Sequence, residues 1–150
     1  MKELQPTQPD DKVLAAISHF FGLLAAIIIW AIQRDKSEYV RFQTLQAVSF
    51  DMLNALVIML AIGLFVACMV IPILFSLVIL QMSDSSEVPE FVVLFMITPM
   101  LFPPIIAGLL ILYSLVNMLA RLIAAIRVLQ GKDFRYPWLG KRLERLLYAA

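Results

Sequence analysis

Three long apolar stretches, separated by short polar segments, divide the chain. No formal charge occurs in Val13–Ile32, Met52–Leu80 or Phe91–Ala120. Because about 20 apolar residues are enough for a helix to cross about 30 Å of hydrocarbon, each stretch has the length of a membrane span. The pattern predicts helices over residues 13–33, 37–80 and 104–130.

Prolines interrupt the second and third stretches. As one helix, the uncharged run from Met52 would be about 43 Å long, so we expect it to tilt or to break at Pro72. Pro104 suits the first turn of a helix. We interpret the proline-broken segment 91–103 as re-entrant or interfacial, and its inclusion in the third helix is the alternative.

Polar segments flank this helical region of residues 13–131. Residues 1–12 form a polar arm, in which Asp10 or Asp11 can cap the first helix. Gly131 is a natural C′ residue, and residues 132–150 form a basic, aromatic tail. In that tail Leu139, Leu143, Leu146 and Leu147 share a helical face opposite Lys141, Arg142 and Arg145, which predicts a helix lying on the membrane surface.

The composition excludes a small soluble domain. Hydrophobic residues make up 62% of the 150 residues and charged residues only 15%. A soluble domain of this size could not bury so much apolar surface. We predict an all-α integral membrane protein with three transmembrane helices, a proline-broken outer segment and a C-terminal amphipathic surface helix.

The placement of basic residues predicts the topology. Residues 34–41 hold three Lys or Arg residues and residues 121–145 hold seven, whereas residues 42–120 hold none. With three crossings the positive-inside rule places the 34–41 turn and the tail in the cytoplasm, and the N-terminus and the acidic loop 81–90 outside. Four crossings are the alternative. The net charge of +1 gives no indication of a nucleic-acid partner.

A few polar residues fall inside the apolar stretches. They are His19, Asp51, Asn54, Asn117 and Arg121. We expect Asp51 to pair with Arg121, because a lone charge in hydrocarbon is costly. The preferred interpretation is a structural contact between helices, and an ion or proton pathway is the alternative. For His19 we prefer a neutral, hydrogen-bonded imidazole over a proton-transfer or ligand role.

Two further groups of residues are candidates for contacts. Small residues that allow close helix packing are Ser18, Gly22, Ala26, Gly63 and Ala67. Residues predicted to contact lipid headgroups or a partner are Arg34, Lys36, Arg41, Lys132, Arg135, Tyr136, Trp138, Arg142 and Arg145. Phosphate-binding loops, nucleophile motifs and metal-ligand clusters are absent, so we predict no cofactor, no metal and no enzymatic activity.

Several residues also carry a family resemblance. They are His19 to Gly22, Trp30, the turn Lys36–Gln43, Gln46–Ala47 and the closing Gly131–Pro137. This combination resembles a widespread family of small membrane proteins of unknown function, related to the twenty-kilodalton subunit of the chloroplast inner-envelope protein translocon. Magnetosome-membrane proteins that affect crystal size also belong there. The resemblance implies a helical membrane protein that assembles with others, with protein import in one branch.

These observations together predict a non-enzymatic scaffold or accessory subunit of a larger complex in a bacterial inner membrane. Its partners are the lipid bilayer and other membrane-protein subunits or further copies of itself. The alternative is a channel, transporter or protein-translocation component.

Overall fold

The computed structural model describes residues 4–82, 90–137 and 139–148, and within them it is all-α without a strand. The helices are α1 (Pro9–Phe21), α2 (Leu23–Gln33), α3 (Glu38–Met82), α4 (Glu90–Leu129) and α5 (Leu139–Tyr148). The chain forms two compact units. Unit 1 comprises residues 1–55 and 116–150, and unit 2 comprises residues 56–115.

The single helix predicted over residues 13–33 is instead two helices that meet at Gly22. Gly22 has φ 79° and ψ −160°, a backbone conformation that is essentially restricted to glycine. This residue therefore ends α1 and begins α2, and the two helices pack against one another. We call α1 and α2 together the N-terminal hairpin.

Contacts at the two ends of the hairpin show that the chain returns to where it started. Ser37 Oγ donates a hydrogen bond to Asp11 Oδ2 over 3.0 Å. A continuous helix would hold these two residues about 39 Å apart. With 13 and 11 residues, α1 and α2 are only about 20 and 16 Å long, so neither helix alone spans about 30 Å of hydrocarbon.

The N-terminal arm and the tail lie at the same end of unit 1. The Leu4 N–H donates to Asp133 Oδ2 over 3.4 Å, and the Lys12 side chain lies against Gly131. The sequence prediction, in which the first apolar stretch crosses, instead placed the N-terminus and the tail on opposite faces of a membrane.

Two helices are long and apolar enough to cross a membrane, α3 and the part of α4 from Val92 to Leu129. The described residues thus provide two candidate spans where three were predicted. Pro72 does not end α3, and Pro99, Pro103 and Pro104 lie inside α4. Residues 91–103 are therefore helical and continuous with the rest of α4 instead of forming a separate broken segment. Most of the predicted acidic loop 81–90 lies outside the described residues.

The ends of the long helices are set by local chemistry. Ser37 caps α3 by accepting the Val40 N–H at its hydroxyl oxygen. Gly131, with φ 77°, follows α4 as the predicted C′ residue, and its N–H donates to the Val128 carbonyl. The Tyr39 hydroxyl donates to the carbonyl of Lys132 over 3.3 Å, so the start of α3 is tied to the end of α4.

Unit 1 has a small apolar core between the hairpin, the start of α3, the end of α4 and α5. Its buried members include Ala15, Ile29, Val40, Phe42 and Val128. Leu143 and Leu147 of α5 pack against this core, whereas Leu146 is 78% exposed. The apolar side of α5 therefore packs in part against unit 1, a contact that the predicted membrane-surface helix did not include.

Unit 2 consists of two apolar helical arms, residues 56–82 and 90–115, with few buried side chains. The Phe75 and Phe95 rings approach to 5.5 Å between centroids. Ser76 is fully buried, and its hydroxyl donates to the Pro72 carbonyl over 2.8 Å. Most of the other apolar side chains in these arms are exposed, so their surface is available to lipid or to other membrane helices.

Candidate functional site

A cluster of polar side chains occupies the interior of unit 1. Its members, the buried polar cluster, are His19, Gln43, Gln46, Asp133 and Tyr136. His19 is 2% exposed, Gln43 and Gln46 are fully buried, and Tyr136 is 6% exposed. The hairpin supplies His19, α3 supplies both glutamines, and the tail supplies the other two residues. The cluster therefore joins three separate segments of the chain.

Gln43 lies at the centre and fixes the direction of the bonds around it. Its Nε2 donates to Asp133 Oδ1 over 3.0 Å and to the Phe134 carbonyl over 3.1 Å. These two acceptors orient the amide so that Oε1 faces His19 Nε2 at 3.2 Å. Because an amide oxygen only accepts, Nε2 of the imidazole carries the hydrogen. His19 Nδ1 is left to accept from the Tyr136 hydroxyl at 3.4 Å.

Gln46 holds the tail by its backbone. Its Nε2 donates to the Phe134 carbonyl over 3.1 Å, and its Oε1 accepts the Tyr136 N–H over 3.0 Å. One side-chain amide thus pairs with a carbonyl and an N–H two residues apart, as a neighbouring β-strand would. The tail binds α3 through main-chain groups, which fixes its position as soon as it leaves α4.

Charged groups extend this attachment toward α5. Arg135 donates to Asp133 Oδ2 through Nε and Nη2, over 3.0 and 2.8 Å. Its Nη1 donates to Glu144 Oε2 over 2.8 Å, and its guanidinium lies 5.3 Å from the centre of the Phe42 ring. Arg135 therefore connects the tail to both α3 and α5.

Aromatic rings close the cluster on its apolar side. The Tyr136 ring stacks on Phe50, with 4.3 Å between centroids and 8° between planes. Phe134 meets Tyr136 edge to face at 5.0 Å and His19 at 6.1 Å. Such ring pairs add stability beyond the area that they bury, and here they surround the imidazole.

The predicted ion pair between Asp51 and Arg121 is present. It joins α3 to α4 within unit 1. The pair lies at the tip of the hairpin, since a Cβ added to Gly22 would lie 3.0 Å from Arg121 Nη1 and 3.2 Å from Asp51 Oδ2. Asn54, one turn further along α3, is 8% exposed. Because Gly22 has no side chain, the backbone at the helix break lies close to the two charged side chains.

A second polar contact lies at the open end of the hairpin, around Asp11. Its Oδ2 accepts bonds from the N–H groups of Thr7 and Gln8 and from the hydroxyls of Thr7 and Ser37. Burial of the carboxyl raises its pKa, but these hydrogen bonds together outweigh burial and leave the pKa below the ordinary value of 3.8. The ionised carboxylate therefore ties the N-terminal arm to the cap of α3.

The hydrogen bonds of the buried polar cluster run in one direction. Tyr136 donates to His19, His19 donates to Gln43, and Gln43 donates to Asp133 in one directed series. Since a glutamine amide does not exchange protons readily, this series does not connect the imidazole to the carboxylate as a proton path. Among the described residues there is also no group of three or more His, Cys, Asp or Glu side chains arranged to hold a metal ion.

The other predicted contact residues have different outcomes. Ser18 and Ala26 are fully buried, whereas Gly63 has open space around it and Ala67 is half-buried. Tyr136 and Arg135, which were predicted to contact headgroups or a partner, belong to the interior contacts described above. Residues that do lie exposed are Arg34, Lys36, Lys132, Arg142 and Arg145, while Arg41 and Asn117 are half-buried. Trp138 lies outside the described residues.

Sequence reasoning missed the two glutamines as a site. Gln43 and Gln46 are three residues apart, so they share one helical face, and that face lies in a sequence that becomes steadily more apolar. Two glutamine amides on one face of a largely apolar helix indicate hydrogen-bond partners elsewhere in the chain. Asp133 and the carbonyl of Phe134 are those partners, and neither could be identified from spacing because they lie about 90 residues away.

The sequence model of the magnetosome magnetite crystal formation protein family matches residues 10–143. The chain belongs to this family. The matched range covers the N-terminal hairpin apart from Pro9, both long helices and the whole buried polar cluster, so the magnetosome family assignment applies to the site as well as to the spans. Family membership and the two candidate spans agree that this is a membrane protein. No curated protein and no solved structure gives a significant match.

Proposed function

We propose that this protein is a non-enzymatic accessory or scaffold subunit of a larger membrane complex. The observation that carries the proposal is the surface of unit 2. Residues 56–82 and 91–115 contain no Asp, Glu, Lys or Arg, and most of their apolar side chains are exposed. Such a surface offers contact area to other membrane helices and few groups that could perform chemistry.

Open small-residue positions support contact with other helices. A Cβ added at Gly63 or at Gly108 would meet nothing within 4 Å. In a membrane, glycines on an otherwise bulky apolar surface allow the backbone of a second helix to come close. These two positions are therefore where we expect subunit contacts to be concentrated.

We also propose a topology in which both termini face the cytoplasm of a bacterial inner membrane or of a membrane derived from it. All twelve Lys and Arg residues fall in residues 1–55 or 116–150, which are the residues of unit 1. With α3 and α4 as the two crossings, the positive-inside rule assigns that end to the cytoplasm. The N-terminal hairpin then enters and leaves the bilayer on the same side.

The family description provides a specific setting. In a bacterium that builds magnetosomes, we propose that the complex lies in the magnetosome membrane, where the protein supports magnetite crystal formation as its family is described to do. Deleting the gene in such a host should change the size of the crystals seen by electron microscopy. Unchanged crystals would argue against this setting while leaving the membrane role open.

Gentle extraction tests the subunit proposal directly. The protein is purified from its own membranes in a mild detergent, sized by light scattering, and its companions are identified by mass spectrometry. Gly63→Leu and Gly108→Leu should reduce the recovery of companions, because the larger side chain prevents close approach. Met59→Leu, at an exposed position on the same arm as Gly63, is the matched control. Recovery of a lone monomer from native membranes would contradict the proposal.

The second candidate is a channel, transporter or protein-translocation component. The specific observation behind it is the helix break at Gly22 beside the Asp51–Arg121 pair. Broken helices with charges at the break form substrate sites in some transporters. Flux through liposomes that contain only this protein, abolished by Asp51→Asn, would support this alternative, and the absence of flux would leave the accessory role preferred.

A further inference from the structure

Exposed apolar side chains give way to basic side chains at three places in unit 1. Val13 is 48% exposed, Ile32 is 59% exposed and Leu129 is 50% exposed. A basic residue follows or precedes each within three positions: Lys12, Arg34 and Lys132, respectively. An apolar surface that ends in basic residues is typical of the boundary between hydrocarbon and headgroups.

The three places lie at one level of the unit. The Asp11–Ser37 hydrogen bond joins the start of α1 to the start of α3. The Lys12 side chain meets the end of α4, since a Cβ added to Gly131 would lie 3.0 Å from Lys12 Cε and Nζ. Lipid headgroups at this end of the protein would therefore surround all three places at one level, which we call the rim.

An open groove lies on that rim, between the N-terminal arm and the end of α4. It is lined by residues 5–9, Lys12, Gln130 and Gly131, and its volume is about 460 Å³. This is within the range of about 300–1,000 Å³ found for small-molecule sites. Lys12 is the only charged residue in the lining, and the other polar side chains there are neutral amides and a hydroxyl.

The Lys12 ammonium has no partner carboxylate within the part of the chain that the structure describes. Its nearest acid along the helix, Asp11, is already bonded to Thr7, Gln8 and Ser37. A half-buried cation in a neutral polar groove favours an anion as its counter-charge. Glycine at 131 leaves the space that the lysine side chain occupies.

We propose that this groove binds the headgroup of an anionic phospholipid, with its phosphate on Lys12 and its acyl chains along the apolar surface that begins at Val13 and Leu129. The proposal rests on the membrane placement given above and not on any protein partner. A lipid fits better than free phosphate because the apolar surface directly below the groove would bind the acyl chains.

The experiment compares lipids that differ only in headgroup. The full chain is purified in neutral detergent, and phosphatidylglycerol or phosphatidylcholine with identical acyl chains is added. Lipid retention is measured by native mass spectrometry and stabilisation by the shift in melting temperature. Glycerol phosphate serves as a headgroup without chains. The variants are Lys12→Gln, Lys12→Arg and, as a matched charge control, Lys141→Gln on α5, which removes an exposed cation outside the groove.

We expect the native protein, Lys12→Arg and Lys141→Gln to prefer phosphatidylglycerol, and Lys12→Gln to bind it about fivefold more weakly, the effect of one lysine at an anionic lipid surface. Equal losses in Lys12→Gln and Lys141→Gln would overturn the proposal in favour of diffuse electrostatics. Stabilisation by glycerol phosphate equal to that by the lipid would overturn it in favour of a soluble phosphate ligand. Co-purification of partners is scored separately, so failure here is distinguishable from failure of the subunit proposal.

Discussion

Replacing Gly22 by alanine should destabilise the protein. At φ 79° and ψ −160° an L side chain is strained, and residues held in such regions cost about 1–3 kcal/mol each. The new methyl group would also lie 3.0 Å from Arg121 Nη1 and 3.2 Å from Asp51 Oδ2, so the ion pair must shift. We therefore expect Gly22→Ala to lower the free energy of unfolding by about 2–4 kcal/mol, combining the strain with a weakened buried pair.

Whether Gly22→Ala lowers or raises the free energy of unfolding distinguishes the hairpin from a continuous first helix. In a continuous helix over residues 13–33, the same substitution would stabilise by about 0.5–1 kcal/mol, because alanine is the better helix former. Gly63→Ala is the matched control, since Gly63 lies inside α3 with open space around its Cα. We expect that variant to be as stable as the native protein or slightly more stable.

Reversible unfolding in mixed micelles, followed by circular dichroism, provides the comparison. Helix content should be similar for all three proteins at low denaturant, and the midpoint should fall only for Gly22→Ala. A Gly22→Ala protein that is more stable than the native one would refute the hairpin and restore a straight first helix.

Four further substitutions test the contacts around the hairpin. Asp51→Asn should lower the free energy of unfolding by about 2 kcal/mol, which is less than for a fully buried pair because Arg121 is part-exposed. Adding Arg121→Gln should lower it only slightly further. Fully additive losses in the double-mutant cycle would exclude the pairing. Gln43→Leu should cost about 3 kcal/mol, because the tail and His19 lose three hydrogen bonds in the interior, and limited proteolysis should then cut the tail first. Asp11→Asn should cost about 1–2 kcal/mol at neutral pH. The pKa of Asp11 is lowered on folding, so its contribution to the free energy of unfolding is present above pH 3.8 and is lost as the pH falls through the lowered pKa. The stabilities of the variant and the native protein should therefore converge in acid. A constant difference in stability down to pH 2 would contradict the role of the carboxylate.

Local chemistry made several elements predictable. The uncharged run that became α3 was identified by composition, and Gly131 was identified as the C′ residue of α4 because a left-handed position there favours glycine. The Asp51–Arg121 pair followed from the cost of leaving either charge alone in an apolar setting. The first two inferences depend on a residue and its immediate neighbours, whereas the pair followed from two opposite charges placed at comparable depth in predicted spans.

The hairpin was not predictable in the same way. Gly22 fits both a notch for helix packing and a chain reversal, and its small neighbours Ser18 and Ala26 favoured the first interpretation. The deciding contacts are long-range, since they join Asp11 to Ser37 and Gly22 to Arg121. Spacing along the sequence contains no information about such partners.

Prolines misled the prediction for a different reason. In water, Pro99 and Pro103 would end a helix because each removes an N–H and crowds the preceding turn. Apolar surroundings favour a helix strongly, and prolines are tolerated within such helices. α4 therefore continues from Glu90 to Leu129.

Labelling of single cysteines in sealed vesicles tests the central claim most directly. In a Cys68→Ser background, which removes the only native cysteine, one cysteine is placed at Gln5 and, in a second protein, at Arg142, both exposed positions. A membrane-impermeant maleimide is applied to right-side-out and to inverted vesicles. The hairpin predicts that both positions are labelled only in the inverted vesicles, from the cytoplasmic face. Labelling of Gln5→Cys and Arg142→Cys from opposite faces would contradict the hairpin and show that the first apolar stretch crosses the membrane.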